Sequence, residues 1–118
     1  LMVFGTAGGE KQGQWTLQFF LNYVVFDMNI QEALDAPTVH TSHFPASFWP
    51  HSVRPGEVSV EPRIPDKVIK GLSERGHKVV YSNSWSHGRC SGIRIDPGSG
   101  VMFGGASPRT GEPYAIGW

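Results

Sequence analysis

The sequence has very little cysteine and no excess charge of either sign. Among its 118 residues Cys90 is the one cysteine, so no intrachain disulfide can form and a disulfide-stabilised miniprotein is excluded. Ten Lys and Arg residues balance ten Asp and Glu residues. This balance leaves no basic surface of the kind that attracts nucleic acid or anionic lipid, so we expect neither as a partner.

Long apolar runs are also missing. The longest, Leu1–Phe4 and Tyr23–Phe26, fall far short of the roughly 20 residues that cross a bilayer, so no membrane span is expected. The first residues carry neither a basic stretch nor a long apolar one, so no signal peptide is expected there. A chain that opens on an apolar strand is expected to continue from an upstream segment.

Turn-forming and aromatic residues are plentiful. The chain has 15 glycines, 9 prolines, 4 tryptophans and 7 phenylalanines, and 39% of its residues are hydrophobic. This composition is typical of a folded core with many turns rather than of low-complexity disorder. The length suits one domain or part of one.

Hydrophobic periodicity predicts three helices. The first is expected from about Gln14 to Met28, although its many aromatic and β-branched residues require burial to hold it. The second is expected over Ile30–Ala36, with Asn29 and Glu32 placed to form a capping box. The third runs from Pro65 to a stop at Gly76.

Short strands are expected between these helices. They are Leu1–Phe4, Thr38–Thr41, Glu57–Val60, Val79–Ser82, Gly88–Ile95, Val101–Phe103 and Tyr114–Trp118. Ser42–Gly56 is expected to be an ordered surface loop, and Asp96–Gly100 a hairpin turn. This order of helices and strands predicts an α+β layered fold.

The first candidate for chemistry is the glycine-rich segment Gly5–Gly9, which separates a strand from a helix. Residues without a Cβ let the backbone approach a ligand closely and present its N–H groups to a developing oxyanion. The alternative is a plain glycine turn, which this short pattern by itself favours. A phosphate-binding loop is disfavoured because Lys11 is followed by Gln12 and not by Ser or Thr.

Histidines and one thiol form a second set of candidates, namely His40, His43, His51, His77, His87 and Cys90. A structural zinc site is disfavoured because only one thiol is present and the paired spacings fall on loops or strands. Candidate nucleophiles near His87 are Ser84, Ser86, Ser91 and Cys90, with Asp96 as an orienting carboxylate. No Gly-x-Ser-x-Gly elbow supports a complete triad, and Cys90 is expected to be a small buried hydrophobe.

Aromatic residues cluster between two prolines, at Phe44, Phe48 and Trp49. They are candidates for a ligand platform or a subunit contact. The favoured interpretation is a loop that packs its own aromatic rings.

Taken together, the segments resemble the C-terminal part of the small subunit of γ-glutamyltransferases, members of the N-terminal-nucleophile (Ntn) hydrolase superfamily. Four ordered matches carry the resemblance and cover nearly the whole chain: Gly5-Thr6-Ala7-Gly8-Gly9; Thr16-Leu17-Gln18 with Met28 to Ala33 and Asp35-Ala36-Pro37; Val58-Val60-Glu61 with Arg75-Gly76-His77; and Gly88, Ile93, Asp96-Pro97, Phe103-Gly104 and Pro108-Arg109.

Some positions depart from the family pattern. Thr38 stands where the family usually has arginine, Thr41 where a second histidine is common, and Gly105-Ala106-Ser107 lacks the usual aspartate. The stretch Ser42–Gly56 is also longer than its counterpart. These departures leave open whether the acyl group is γ-glutamyl or that of a related acylase or amidohydrolase.

The resemblance implies part of an αββα four-layer sandwich, with residues 1–118 forming the C-terminal portion of the small catalytic subunit. It implies a self-cleaving enzyme whose N-terminal threonine, outside this chain, attacks a γ-glutamyl amide such as glutathione. Gly8 and Gly9 then become oxyanion-hole donors, whereas Gln18, Asn22 and His40 are structural. The expected partners are the upstream part of the precursor and the small γ-glutamyl substrate.

The resemblance implies no cofactor and no metal, and it suggests a periplasmic, secreted or cell-surface protein. A catalytically degenerate homologue that keeps the scaffold, or a zinc-binding module, remains an alternative. On this interpretation Gly8→Val is expected to lower kcat while the protein still folds.

Overall fold

The computed structural model describes residues 1–109 and 114–116. The chain divides into two compact units. The first unit joins Leu1–Ala36 to the chain from Gly88 onward, and the second is Pro37–His87. No helix among the described residues is both long enough and apolar enough to cross a membrane.

The elements follow one another as β1 (Met2–Gly5), a short 3-10 helix (Gly9–Lys11), α1 (Gln12–Val24), α2 (Ile30–Asp35), β2 (Val39–Ser42), β3 (Arg54–Val60), α3 (Asp66–Glu74), β4 (Lys78–Tyr81), β5 (Ser91–Ile95) and β6 (Met102–Ala106). This mixture of helices and two small sheets agrees with the predicted α+β class. The arrangement of four layers goes beyond what these elements show.

The first unit is built on an antiparallel sheet with the strand order β1-β5-β6. Helices α1 and α2 bury Phe19, Ile30 and Leu34 in its core. Two glycines in the sheet make this close packing possible. A Cβ on Gly92 would lie 3.1 Å from Cζ of Phe19, and one on Gly105 would lie 2.6 Å from Cγ2 of Ile30.

One alternating set of side chains from this sheet is left exposed. Val3 pairs with Ile93 across β1 and β5, and Ile95 pairs with Met102 across β5 and β6. Val3 is 67% exposed and Met102 is 54% exposed. An apolar set of this kind on neighbouring strands is typical of a sheet face that another layer covers.

The second unit has the strand order β2-β3-β4, with β2 antiparallel and β4 parallel to β3. Helix α3 makes the crossover that the parallel pair requires. Val58 and Val60 of β3 form its apolar centre.

A buried carboxylate joins the two ends of this unit. Glu61 is fully buried, and its Oε2 accepts hydrogen bonds from the Thr38 N–H (3.1 Å) and the Arg63 Nη2 (3.2 Å). Its Oε1 accepts from the backbone N–H of Ser86 (3.1 Å) and that of His87 (3.5 Å). Because Thr38 lies at the start of the unit and His87 at its end, one side chain ties both ends together.

The predicted capping box is confirmed. The Asn29 side chain accepts from the Glu32 N–H and the Glu32 carboxylate accepts from the Asn29 N–H, both at 2.9 Å. The predicted extent of the first helix is wrong at both ends, because α1 begins at Gln12 and stops at Val24. It stops early because the chain turns at Asp27, which has a φ of 54°, to start the capped α2.

Other boundaries differ by less. Strand β5 begins at Ser91 and not at Gly88, whose φ of 72° is left-handed. Strand β6 continues to Ala106, beyond the predicted Phe103. In the last predicted strand, Tyr114–Trp118, residues 114–116 do not form a strand, and the final two residues lie outside the described residues.

We predict that Glu61→Gln destabilises the second unit. The uncharged amide replaces one acceptor oxygen by a donor that faces backbone N–H groups, and it leaves Arg63 without its carboxylate. Losing one partner of a buried charged network typically costs about 3–5 kcal/mol. Equilibrium urea unfolding measures this change. Glu74→Gln removes an exposed glutamate paired to Lys70 and should change the free energy of unfolding by only about 0.5 kcal/mol, and equal losses would contradict the role of Glu61.

Candidate functional site

The glycine-rich loop lies between β1 and the short 3-10 helix that leads into α1. The Thr6 hydroxyl oxygen accepts a hydrogen bond from the Arg89 N–H at 2.8 Å and donates to the Ala7 carbonyl at 2.9 Å. Gly8 has a φ of 140° and Gly9 has a φ of 60°. Residues with a Cβ rarely adopt these backbone conformations. The loop is therefore held at a defined place, and its sharp turn depends on glycine.

Trp15 of α1 packs directly behind this loop. Its side chain is largely buried, and a Cβ on Gly8 would lie 2.2 Å from its Cζ3 atom. A Cβ on Gly88 would lie 3.1 Å from Cδ2 of the same indole. The indole therefore fixes the backbone at both glycines. The sequence analysis did not assign this role to Trp15.

The amides of Gly8 and Gly9 are available for a ligand. No residue within 1–109 or 114–116 accepts a hydrogen bond from either N–H group, and both glycines are exposed. Their carbonyls, in contrast, accept from the N–H groups of Lys11 and Gln12. Free N–H groups at the start of a helix carry partial positive charge, so this loop can bind an anion or a developing oxyanion.

The expectation that Gly8→Val would leave folding intact is wrong. A side chain at Gly8 would collide with the indole of Trp15 before it could affect a ligand. Nothing lies within 4 Å of a Cβ placed on Gly9. Gly9 is therefore the better position at which to probe the loop.

The contacts of His87 are not with the candidate nucleophiles or with Asp96. Its Nδ1 lies 3.2 Å from the Thr38 carbonyl, its Nε2 lies 3.3 Å from the Ser59 hydroxyl, and its ring meets that of His40 edge-on at 4.4 Å. The Ser86 hydroxyl donates instead to the Asn83 carbonyl at 2.6 Å. His87 is buried, so this group serves the interior of the second unit.

Asp96 and Cys90 also have structural surroundings. The Asp96 carboxylate accepts from the Ser99 hydroxyl at 2.6 Å within its own turn, and this hydrogen bond holds the pKa of Asp96 below its usual value. Cys90 is buried in the core of the first unit, as predicted. Burial raises the pKa of its thiol to about 11, which disfavours the nucleophilic thiolate.

Metal ligands do not gather in the described part of the chain. No group of three or more His, Cys, Asp or Glu side chains there could hold a metal ion. Of the histidine set, His40 and His87 lie together in the interior of the second unit, whereas the His51 ring contacts the Ala46 carbonyl at 2.7 Å.

The aromatic loop does not bury its rings, so the favoured interpretation of that cluster is wrong. Phe44, Phe48 and Trp49 are 75–86% exposed. The loop is nevertheless ordered by its backbone, since the Ala46 N–H donates to the Ser52 carbonyl at 3.0 Å.

Comparison with known proteins gives a consistent result. The family model of Gamma-glutamyltranspeptidase matches residues 1–117. A glutathione hydrolase-like proenzyme of Bacillus subtilis (strain 168) is 30% identical over 98% of this chain and 21% of its own length. The Acylase ACY 1 proenzyme of Pseudomonas sp. (strain V22) is 35% identical over 97% of this chain and 18% of its own length.

A solved structure matches almost the whole of this chain. The structure described as LmbA2991T421A is 41% identical to this chain, with a TM-score of 0.94, and the match covers 99% of this chain and 21% of that one. The chain therefore spans about a fifth of the length of the curated relatives that it matches.

We predict that the two loop glycines respond differently to alanine. Gly8→Ala places its methyl group against Trp15, and such overpacking typically costs about 1–3 kcal/mol before any backbone strain. Gly9→Ala meets open space and should cost only the roughly 1–2 kcal/mol of a left-handed residue. Urea unfolding followed by tryptophan fluorescence compares the two. A Gly8→Ala protein as stable as the parent would contradict the packing role of Trp15.

Proposed function

Because the chain belongs to the γ-glutamyltranspeptidase family, we propose that residues 1–118 are the C-terminal portion of the small, catalytic subunit of an enzyme that cleaves γ-glutamyl amides. The observation that carries this proposal is the pair of amides at Gly8 and Gly9, which have no acceptor among the described residues and lie in a loop that Trp15 packs against, just before a helix. In this proposal the two N–H groups form the oxyanion hole, and the chain supplies no nucleophile.

The attacking group comes from outside these residues. An N-terminal threonine, freed by cleavage of the precursor, attacks the γ-glutamyl carbonyl while its own α-amino group takes the proton. The carbonyl oxygen becomes negatively charged in the tetrahedral intermediate. The Gly8 and Gly9 N–H groups stabilise that charge, an effect typically worth about 3 kcal/mol of barrier per donor. The intermediate then collapses as its C–N bond breaks, and the leaving amine takes the proton from the α-ammonium group. Water or an amino acceptor attacks the resulting acyl-enzyme and frees the threonine.

The exposed sheet face supports the proposed αββα sandwich. The exposed face of the sheet carries Val3, Ile93 and Met102. The helices bury Phe19 and Leu34 in the core of the same unit. A second sheet packed about 10 Å away would remove these side chains from water. In this proposal that sheet belongs to the upstream part of the precursor.

A related acylase is the second candidate function. The acylase proenzyme is 35% identical to this chain, and the glutathione hydrolase-like proenzyme is 30% identical. Position 38 is also a threonine, where the transpeptidases usually have an arginine. Its backbone is used within the second unit, because its N–H donates to Glu61 and its carbonyl accepts from the Glu61 N–H at 3.2 Å. The acyl group is therefore the property to test first.

We expect the full-length precursor, after cleavage, to release product from a γ-glutamyl anilide. The isolated 118-residue chain should release none, because it lacks the processed threonine. A parallel assay with an aliphatic acyl anilide and with a dipeptide acceptor separates hydrolysis, transfer and acylase activity. Turnover by the isolated chain would contradict the assigned roles, and turnover of the acyl anilide alone would favour the acylase.

A backbone substitution tests the oxyanion donors themselves. Replacing Gly9 by glycolic acid turns its amide into an ester and removes the N–H without adding a side chain. We expect kcat to fall about 10²–10³-fold with little change in KM, because the donor acts on the transition state. The same replacement at Gly100, whose N–H donates to the Asp96 carbonyl at 2.8 Å, is the control. Both glycines have left-handed backbones, and an unchanged kcat at Gly9 would remove it from catalysis.

A further inference from the structure

Helix α1 is apolar on two opposite sides. Trp15, Phe19 and Tyr23 follow the helical repeat on the side that packs in the first unit. A second set, which we call the outer stripe, follows the same repeat on the other side of the helix and consists of Leu17, Phe20, Leu21 and Val24. Phe20 lies at its edge, where its ring also stacks on that of Phe4 in β1 at 6.0 Å between centroids. All four are exposed, and Leu17 and Val24 are more than half exposed. A surface helix normally has one apolar side, which faces the core, so a second apolar side indicates a second contact.

The helix has no charged face to present to water. None of its 13 residues from Gln12 to Val24 is charged. Helix α3 shows the usual surface pattern by contrast, with Asp66, Lys67, Lys70 and Glu74 along its length. The outer stripe is therefore unlike a solvent-facing helix surface, and exposed apolar patches of this kind mark contact sites.

A groove continues the outer stripe beyond the end of α1. It has a volume of about 500 Å³, and its walls include Val24, Met28, Phe103 and Arg94. The next two residues after α1, Val25 and Phe26, are also exposed. A partner that follows the stripe can thus place a side chain in a recess, which is the arrangement found at the centre of stable interfaces.

We infer that the outer stripe of α1 and this groove are the docking surface for an apolar segment of the precursor that lies outside these 118 residues. The inference rests on the proposed function for the existence of that longer precursor. The length of the relatives supports this occupant, since about four-fifths of each lies outside the matched region. A tethered segment also acts at an effective concentration in the millimolar range, which favours it over a second copy.

A membrane surface fits this helix poorly. Helices that lie in the bilayer interface carry Lys or Arg on their polar side, beside the buried apolar one. The polar residues of α1 are instead Gln12, Gln14, Thr16, Gln18 and Asn22. The Gln18 side chain donates to the Gln14 carbonyl at 2.8 Å and the Thr16 hydroxyl to the Gln12 carbonyl at 2.7 Å, so two of them serve the helix itself.

Thiol labelling of the full-length precursor tests the inference without using activity. Leu17→Cys and Val24→Cys place thiols on the outer stripe, and Val68→Cys places one at an exposed apolar position of α3. The native Cys90 gives little background, because it is buried and its thiol pKa is raised to about 11. Each protein is labelled with a maleimide in native buffer and again in urea, where all three thiols should react alike.

We expect the two stripe thiols to react at least about tenfold more slowly than the Val68→Cys thiol in native buffer, since labelling then requires local opening. Equal rates would overturn the inference. Protection that is lost on dilution to monomer would also overturn it, because the occupant would be a second copy. An inactive precursor that still protects Leu17→Cys would contradict the proposed function alone, whereas an active enzyme with fully reactive stripe thiols would contradict only this inference.

Discussion

The contact between the Trp15 indole and the backbone of the glycine loop is the constraint on which the candidate site depends. The ring occupies the space that a Cβ on Gly8 would need, and it leaves only 3.1 Å to a Cβ on Gly88. A rigid aromatic side chain on a helix thus sets the position of a loop that contains no large side chain of its own. Catalysis by backbone donors requires this, because an N–H group aimed at a developing charge helps only when it does not have to reorganise.

Close approach through glycine recurs in the rest of the first unit. Gly92 and Gly105 let Phe19 and Ile30 sit against the sheet at distances that a Cβ would prevent. The same helices that cover the sheet therefore also carry the loop, since α1 bears Trp15 and Phe19 one turn apart. The second unit uses a polar device instead, in which the carboxylate of Glu61 collects N–H groups from Thr38, Ser86 and His87.

Local signals were sufficient to predict the elements whose causes are local. The capping box of Asn29 and Glu32 and the turn after α3 at Gly76 follow from residues within a few positions of each other. The end of α1 was misjudged because the apolar pattern continues through Val25 and Phe26, and those side chains are exposed where the chain turns. Periodicity reports that residues are apolar, but it does not say which surface covers them.

The candidate site was located from sequence only in part, for the same physical reason. Glycines in the loop indicated that the backbone comes close to something, and the family resemblance indicated an oxyanion. That Gly8 faces an indole while Gly9 faces open space is a property of tertiary packing. The distinction changes how the loop is interpreted, because glycine is required at Gly8 by the packing of Trp15, whereas at Gly9 it is required by the left-handed backbone alone.

Helix α1 joins these observations into one argument. The loop that leads into it holds the amides of Gly8 and Gly9, which have no acceptor among the described residues. The inner side of the helix carries Trp15 behind that loop, and its outer side carries an apolar stripe with no charge. A segment packed on that stripe would hold the helix from the side opposite the indole. In the enzyme proposed above, the orientation of the Gly8 and Gly9 N–H groups toward the threonine nucleophile would then depend on contacts along the helix as well as on the loop.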